Sequence, residues 1–413
     1  MRYMTIKASA NKTEPNLLTE GSLMYISYPS DYKQLAYKYL LGEAELQAYN
    51  PQFDLQTLNI INSYRGSVAE ILKIAADKPE AKTARKLKEI ALVKAYKKMY
   101  ETGGDTDFQL AVKAIWGYPD RDLFFKLIED AIAQAEKTGR DSRMTSEVKK
   151  LVRVPKTDNA LNATYTHVDH KLFNQTQKTF KENFKAEIAL INQYVDHKPR
   201  VHRYNSDEIS HLLNKLLAFY GLDKTGWQVK INDRTDRVMV TQDNRTINVA
   251  PGSFRLSRGR AAGLVFHEVV VHINSAAYIR SNAKKLGERR TVDEGLGVFV
   301  EQMMFDRFHP VRSLRYIALG LALGFDGKTR DAKQVHEVVW RLRYLSGIAR
   351  TKQAAKEYAA KEVIRIFRGM PLSQKGVVIT KDRAYVEGNQ LIWRYIQDNG
   401  SDFIFERLLG KTP

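Results

Sequence analysis

His267, Glu268 and His272 lie in one apolar run, Val265-Phe266-His267-Glu268-Val269-Val270-Val271-His272, and Asp293-Glu294-Gly295-Leu296-Gly297 follows about twenty residues later. Histidine binds zinc through a neutral imidazole nitrogen. A hydrolytic zinc site keeps three protein ligands and one open position for water, whose pKa the metal lowers from about 15.7 towards about 7. A carboxylate beside that water takes its proton and passes it to the leaving amine. His267 and His272 are candidate ligands, and Glu294 is the best candidate for the third. Glu268 directly follows the first ligand, where a zinc peptidase keeps its general base. Glu301 comes seven residues after Glu294, on the same helix face, and is either a reserve ligand or a partner of one.

The spacing is unusual. Zinc-peptidase histidines ordinarily stand four apart on one helix face. Here they stand five apart, which on an ideal helix separates them by roughly 140°. Both reach one ion if the helix absorbs the extra residue in a π-type turn, so the spacing predicts a π-bulge between His267 and His272. The plain alternative is a pair of hydrogen-bonded histidines in an apolar core.

The two segments together resemble the QEGLA-motif family. That family includes the bacterial flavohemoglobin expression-modulating QEGLA motif proteins and the animal microtubule-associated tyrosine carboxypeptidases. The resemblance implies that His267, His272 and Glu294 hold one zinc ion per chain and that Glu268 is the catalytic carboxylate. It extends to Asn50-Pro51-x-Phe53 and Trp116-Gly117-x-Pro119 upstream, and to Arg368-Gly369 and Thr380-Lys381-Asp382-x-x-Tyr385-x-x-Gly388 downstream. Three positions depart from the family pattern: Asp293 replaces Gln or Glu, Gly297 replaces Ala, and Val270-Val271 replaces Gly-Thr. These departures are expected to bear on substrate preference more than on metal binding.

By resemblance, the chain is expected to be a zinc metallopeptidase with a gluzincin-like core, acting as a carboxypeptidase on a chain ending in Tyr. An exopeptidase must hold a terminal carboxylate, which arginine does with a planar fork and lysine as a point charge. Arg368 and Lys381 are the substrate-binding candidates, and Tyr385 is the candidate donor to the oxyanion. All three rest on residue type and resemblance, with a structural role as the alternative. The rival from another class is a basic binding protein whose zinc site is structural or inactive.

The elements that must position these residues read as α+β and predominantly helical. Residues 1–28 read as an N-terminal extension and 29–150 as a helical region packed on the catalytic unit; 151–413 read as the catalytic region. Apolar periodicity predicts helices over 32–49, 55–76, 82–100, 107–116 and 120–137. Residues 138–166 read as a polar link. The cluster His167, Asp169, His170 reads as a turn or helix start. Ser206 is the expected N-cap of a helix closed by Gly221, with Phe219 among its core residues. Short β-type runs at 227–231, 238–241 and 246–249 predict a small antiparallel sheet just before the helix 258–274. A basic run over 276–290 reads as a solvated face or as the rim that attracts an acidic chain. Further helices are expected over 292–308, 311–323 and 352–367 and up to 397. His336-Glu337 lacks a second histidine and reads as a decoy.

The chain of 413 residues has no cysteine, so disulfides and thiolate metal sites are excluded and zinc must use His and carboxylates. That composition suits a reducing cytoplasm. Residues 1–30 lack the apolar run of a signal peptide, and no apolar stretch is long enough to span a membrane. The net charge of +19 fits an acidic peptide, an anionic surface or nucleic acid. No RNP-like, helix-turn-helix or zinc-finger signature accompanies it. The expected partner is therefore a peptide or protein C-terminal tail, acidic in character, with no membrane and with nucleic acid as the weaker option.

Overall fold

The computed structural model describes residues 26–27, 32–46, 52–53, 55–78, 81–154, 166–196, 198–199, 201–233, 235, 237–252, 255–275, 289–305 and 313–410. Most of the expected extension 1–28, the Asn50-Pro51 pair and nearly all of the basic run 276–290 lie outside them. The chain is predominantly helical. Among the described residues no helix is long and apolar enough to cross a membrane.

Strands β1 (Ile26–Ser27) and β2 (Gln52–Phe53) pair antiparallel around α1 (Tyr32–Leu41). That helix stops eight residues short of the expected end, where Gly42 takes φ 77°. The single helix expected over 55–76 is two, α2 (Leu55–Ser63) and α3 (Val68–Ala76). Gly66 at φ 108° breaks the run, and Ser67 restarts it through a capping box with Glu70. Helices α4 (Ala81–Thr102), α5 (Thr106–Trp116) and α6 (Arg121–Thr138) follow close to expectation, the last capped by Asp120. The expected polar link contains a helix, α7 (Ser142–Leu151). Asp141 caps it, and Met144, Thr145 and Val148 give it a buried face that its many charges concealed.

Helices α8 (His170–Asn183) and α9 (Lys185–Val195) come next, with Asp169 as the cap of α8. The His167–His170 cluster is thus a helix start. Helix α10 (Ser206–Phe219) is capped by Asn205 rather than Ser206, because the Asn205 side chain reaches the Glu208 N–H and completes a capping box. Phe219 is 46% exposed and does not join the core.

The sheet of β3 (Gln228–Ile231), β4 (Met239–Thr241) and β5 (Thr246–Val249) has the order β3-β5-β4. It is mixed rather than antiparallel: β3 runs parallel to β5, and β4 runs antiparallel to it. The physical reason is burial. Every residue of β5 is buried, so β5 takes the centre, and β3 is left as a mostly exposed edge. Then come α11 (Arg258–Phe266), a π-helix (His267–Asn274), α12 (Arg289–Met303), α13 (Ser313–Leu323), α14 (Ala332–Leu345) and α15 (Lys352–Phe367). Residues 377–379 are extended but join no sheet; a 3-10 turn (Thr380–Asp382) then leads into α16 (Arg383–Asn399) and α17 (Asp402–Leu408).

Two apolar cores result. The first joins α1 and α3–α7 to α13–α15, with Tyr96, Phe108, Phe124 and Tyr316 fully buried. The second joins α8–α11, the sheet, the π-helix and α12 to α16 and α17, around Phe180, Phe266, Phe299 and Trp393. Helices α12 and α16 cross at Gly295 and Gly388. A Cβ on either glycine would overlap the other helix's backbone, so only glycine permits this approach.

Candidate metal centre

The π-helix places both histidines on one face. Its wider turn absorbs the fifth residue between His267 and His272, and their Nε2 atoms lie 3.1 Å apart. The π-turn is held at its end by Gln242, which donates from Nε2 to the His272 carbonyl at 2.6 Å. Val270 and Val271 are fully buried in the second core, so these two departures from the family pattern serve packing.

Helix α12 presents Glu294 to the same point. Its Oε2 lies 3.7 Å from His267 Nε2, and the ligand atoms of His267, His272 and Glu294 all fall within 4.8 Å of one another. This group could hold a metal ion. Glu294 Oε2 is buried and makes no hydrogen bond. A buried carboxylate oxygen without a hydrogen bond is costly, and a cation between it and the two imidazoles satisfies it. Two imidazoles and a carboxylate, with no thiolate, suit zinc among the common metals. The residues present therefore fit the group expected there.

Around this group the charges are tightly coupled. Burial opposes a charged His267, but the neighbouring carboxylates of Glu294, Glu301 and Glu268 outweigh it and raise its pKa to about 10. Burial likewise opposes a charged Glu294, yet His267 and His272 hold its pKa far below the usual carboxylate range. Glu268 is buried and close enough for its charge to act on His267. Glu301 accepts from His267 Nδ1 at 2.8 Å and is outside the converging ligand set. It orients the ring rather than facing the metal position.

Gly297 touches the site directly. A methyl group there would overlap the His267 ring. This departure therefore touches a candidate ligand, not only substrate preference as expected from sequence. Asp293 acts away from the ligands. It accepts from Arg407 Nη2 at 3.1 Å and ties α12 to α17.

A sequence model of the microtubule-associated tyrosine carboxypeptidase family matches residues 155–409. The chain belongs to that family. No curated protein and no solved structure matches the chain. The family match covers His267, Glu268, His272, Glu294, Arg368, Lys381 and Tyr385 alike.

The three expected substrate-side residues sit in one cationic group beside Glu294. Asp382, buried, is its hub. Arg365 donates to it from Nε at 2.9 Å, and Arg368 donates from Nη2 to both its oxygens at 3.0 Å. Arg315 approaches at 3.8 Å and is itself bound to Glu362. Burial opposes the Asp382 charge, but these guanidinium groups keep its pKa well below normal. Much of the Arg368 fork is thus occupied from within, its Nε donating to the Arg365 carbonyl at 2.7 Å. Tyr385 is buried, with the Arg365 guanidinium 5.8 Å from its ring centre.

Lys381 differs. Among the described residues its ammonium makes no hydrogen bond or ion pair. Burial and the charges of Arg290, Arg368 and Arg237 lower its pKa to about 7, and Glu294 opposes them. Sequence reasoning does not single out Arg237, and it reads Arg290 only as the end of the basic run 276–290. Arg290 precedes Glu294 by one helical turn, which is the signal that could have found it.

Helices outside the family match hold this group in place. Tyr96 donates to the Gly369 carbonyl at 2.7 Å, fixing the turn after Arg368. The Thr380 hydroxyl donates to the Gly117 carbonyl at 2.6 Å, and Arg383 bonds the Trp116 carbonyl. The Trp116-Gly117 and Thr380-Lys381 landmarks are therefore in contact. His336 is buried, with Nε2 2.9 Å from the Lys356 carbonyl, as a core histidine would be. The groove of about 910 Å³ between α6, Thr166–His167 and the end of α16 contains none of the site residues.

Proposed function

We propose that the protein is a zinc carboxypeptidase with a gluzincin-type site, removing a C-terminal residue, Tyr among the candidates, from an acidic peptide or protein tail. The reading rests on one observation: the Nε2 atoms of His267 and His272 converge with Glu294, whose Oε2 is buried without a hydrogen bond. Membership of a family named for tyrosine carboxypeptidase action supports it.

His267, His272 and Glu294 would hold the zinc, one per chain. Zinc bound there supplies a Lewis acid for the scissile carbonyl and for the attacking water. Glu268 takes the proton of that water and returns it to the leaving amine. Glu301 holds Nδ1 of His267 so that Nε2 faces the ligand position. Lys381, unpaired and near Glu294, receives the terminal carboxylate of the peptide. Arg368, engaged by Asp382, keeps positive potential behind Lys381, and Tyr385 is the donor proposed for the oxyanion. Residues 29–150 act as the scaffold of the catalytic region 151–413, through contacts such as Tyr96 with Gly369. The composition without cysteine suits a cytoplasmic site of action.

The test is metal content together with hydrolysis of paired peptides that differ only in a free or amidated C-terminus. One zinc per chain and strong preference for the free terminus support the reading. A metal-free active protein would remove the zinc assignment. Equal rates on both peptides would make it an endopeptidase.

A further inference from the structure

Most of the arginines on α13, α14 and α15 that face other helices are matched by carboxylates. Arg315 pairs with Glu362, Arg341 with Glu337, and Arg365 with Asp382. Arg343 on α14 is the exception, and Arg260 on α11 is unmatched as well. Among the described residues neither side chain makes a hydrogen bond or an ion pair, and Arg343 Nε is buried without an acceptor. The Arg343 guanidinium stacks on Tyr358, 4.0 Å from the ring centre. The Tyr358 hydroxyl also makes no hydrogen bond among the described residues. Arg260 comes close enough for its charge to act on both Arg343 and Tyr358. Glu362 also acts on this pair, but Arg315 already binds both its oxygens, at 2.6 and 3.1 Å.

Arg343 and Tyr358 are thus in contact, and Arg260 from α11 lies within electrostatic reach of both, with no carboxylate paired to any of the three. Like charges brought together by a fold repel, and a buried unpaired N–H is costly. An oxyanion between them relieves both costs, since arginine forks and a phenolic O–H are all donors.

The position of Arg260 fixes where such an anion would sit. Arg260 precedes His267 by seven residues, two turns of helix, and shares its face. Two turns advance about 10 Å along the axis. An extended peptide advances about 3.3 Å per residue, so about three residues bridge the two points.

We propose that Arg260, Arg343 and Tyr358 form a second anion subsite, which takes the carboxylate side chain of a substrate residue about three positions upstream of the bond cleaved. The subsite rests on the peptidase reading above and sets specificity, not chemistry.

The test walks a single Glu→Gln change through the upstream positions of one peptide. The wild-type protein should prefer Glu at one position, about three from the scissile bond, by about tenfold in kcat/KM carried by KM. In Arg260→Gln that ratio should fall to about one, and in Arg260→Lys it should be partly restored. Arg260 is exposed, so a matched melting temperature and zinc content should verify that the variant folds. The same peptides are titrated calorimetrically into Glu268→Gln protein, with and without Arg260→Gln. An Arg260-dependent preference in binding, without hydrolysis by any form, would sink the peptidase reading and leave the subsite standing. Hydrolysis with no position where Arg260 matters would overturn the subsite alone. Inorganic phosphate that raises the melting temperature through Arg260, where peptide carboxylates bind no better than their Gln forms, would also overturn it in favour of a free-anion site.

Discussion

The ring of His267 rests directly on Gly297, with no room for a methyl group between the imidazole and the backbone of α12. One turn further along that helix, Glu301 takes Nδ1 of the same ring at 2.8 Å. Two residues of one helix therefore fix both the place of the ring and its rotation. Nε2 is left 3.1 Å from His272 Nε2 and 3.7 Å from Glu294 Oε2.

Gly297→Ala should push the ring away from α12 and stretch its bond to Glu301. Outer contacts of this kind change metal affinity by about 10- to 100-fold, and the lower end is expected here because the ring can tilt. Chelator competition measures it. Unchanged affinity in a folded variant would mean that the ring has slack and that Gly297 does not set its position.

Glu294 and Glu301 should separate cleanly. Glu294→Gln removes a charged ligand and should empty the site under a chelator that leaves the wild type loaded. Glu301→Gln keeps the three ligands, and should cost about 10- to 100-fold in affinity. Release of metal by Glu301→Gln but not by Glu294→Gln would reverse the two assignments.

Glu268→Gln should keep the metal and lose turnover, because an amide accepts no proton. A loss of about a hundredfold to ten-thousandfold in kcat is the range for a displaced general base. Substrate binding should survive, which calorimetry can check. Near-normal kcat in this variant would leave the reaction without its base.

The metal group was largely legible in sequence, because its information is local. His267 to His272 is one helical segment, and the five-residue spacing itself demanded the π-turn that Gln242 helps to close. Glu294 was visible through the Asp293–Gly297 segment and its resemblance to the family motif, and Glu301 through its place seven residues later on the same helix face. What surrounds the group was not legible, since it depends on pairings distant in sequence. Nothing in the string reveals that Asp382 gathers Arg365, Arg368 and Arg315, or that Gly295 meets Gly388. The mixed sheet was missed for the same reason: three short β-type runs give strands but not which of them lies at the centre. Local chemistry explains the smaller misses too. The capping boxes at Ser67 and Asn205 decide boundaries that apolar periodicity alone reads through.

Lys381 should trade stability for function, and pH should expose the trade. Its pKa is about 7 in the folded chain, against an ordinary value of 10.5. A lysine lowered in this way destabilises the fold wherever it is charged in both states, below pH 7. The unfolded chain binds the extra proton between 7 and 10.5, so stability rises with pH across that window. Lys381→Met should therefore be more resistant to denaturant than the wild type below pH 7, with the difference closing towards pH 10.5. Activity should run the other way. The ammonium form is the one that holds a carboxylate, so kcat/KM on free-terminus peptides should fall as pH rises through about 7. Amidated peptides should be about a hundredfold slower at the lower pH and lack this limb, having no carboxylate to hold. Lys381→Arg should move the limb out of range, because a guanidinium stays charged. A limb that persists unchanged in Lys381→Arg and in Lys381→Met would belong to another group, and Lys381 would lose its place as the carboxylate receptor.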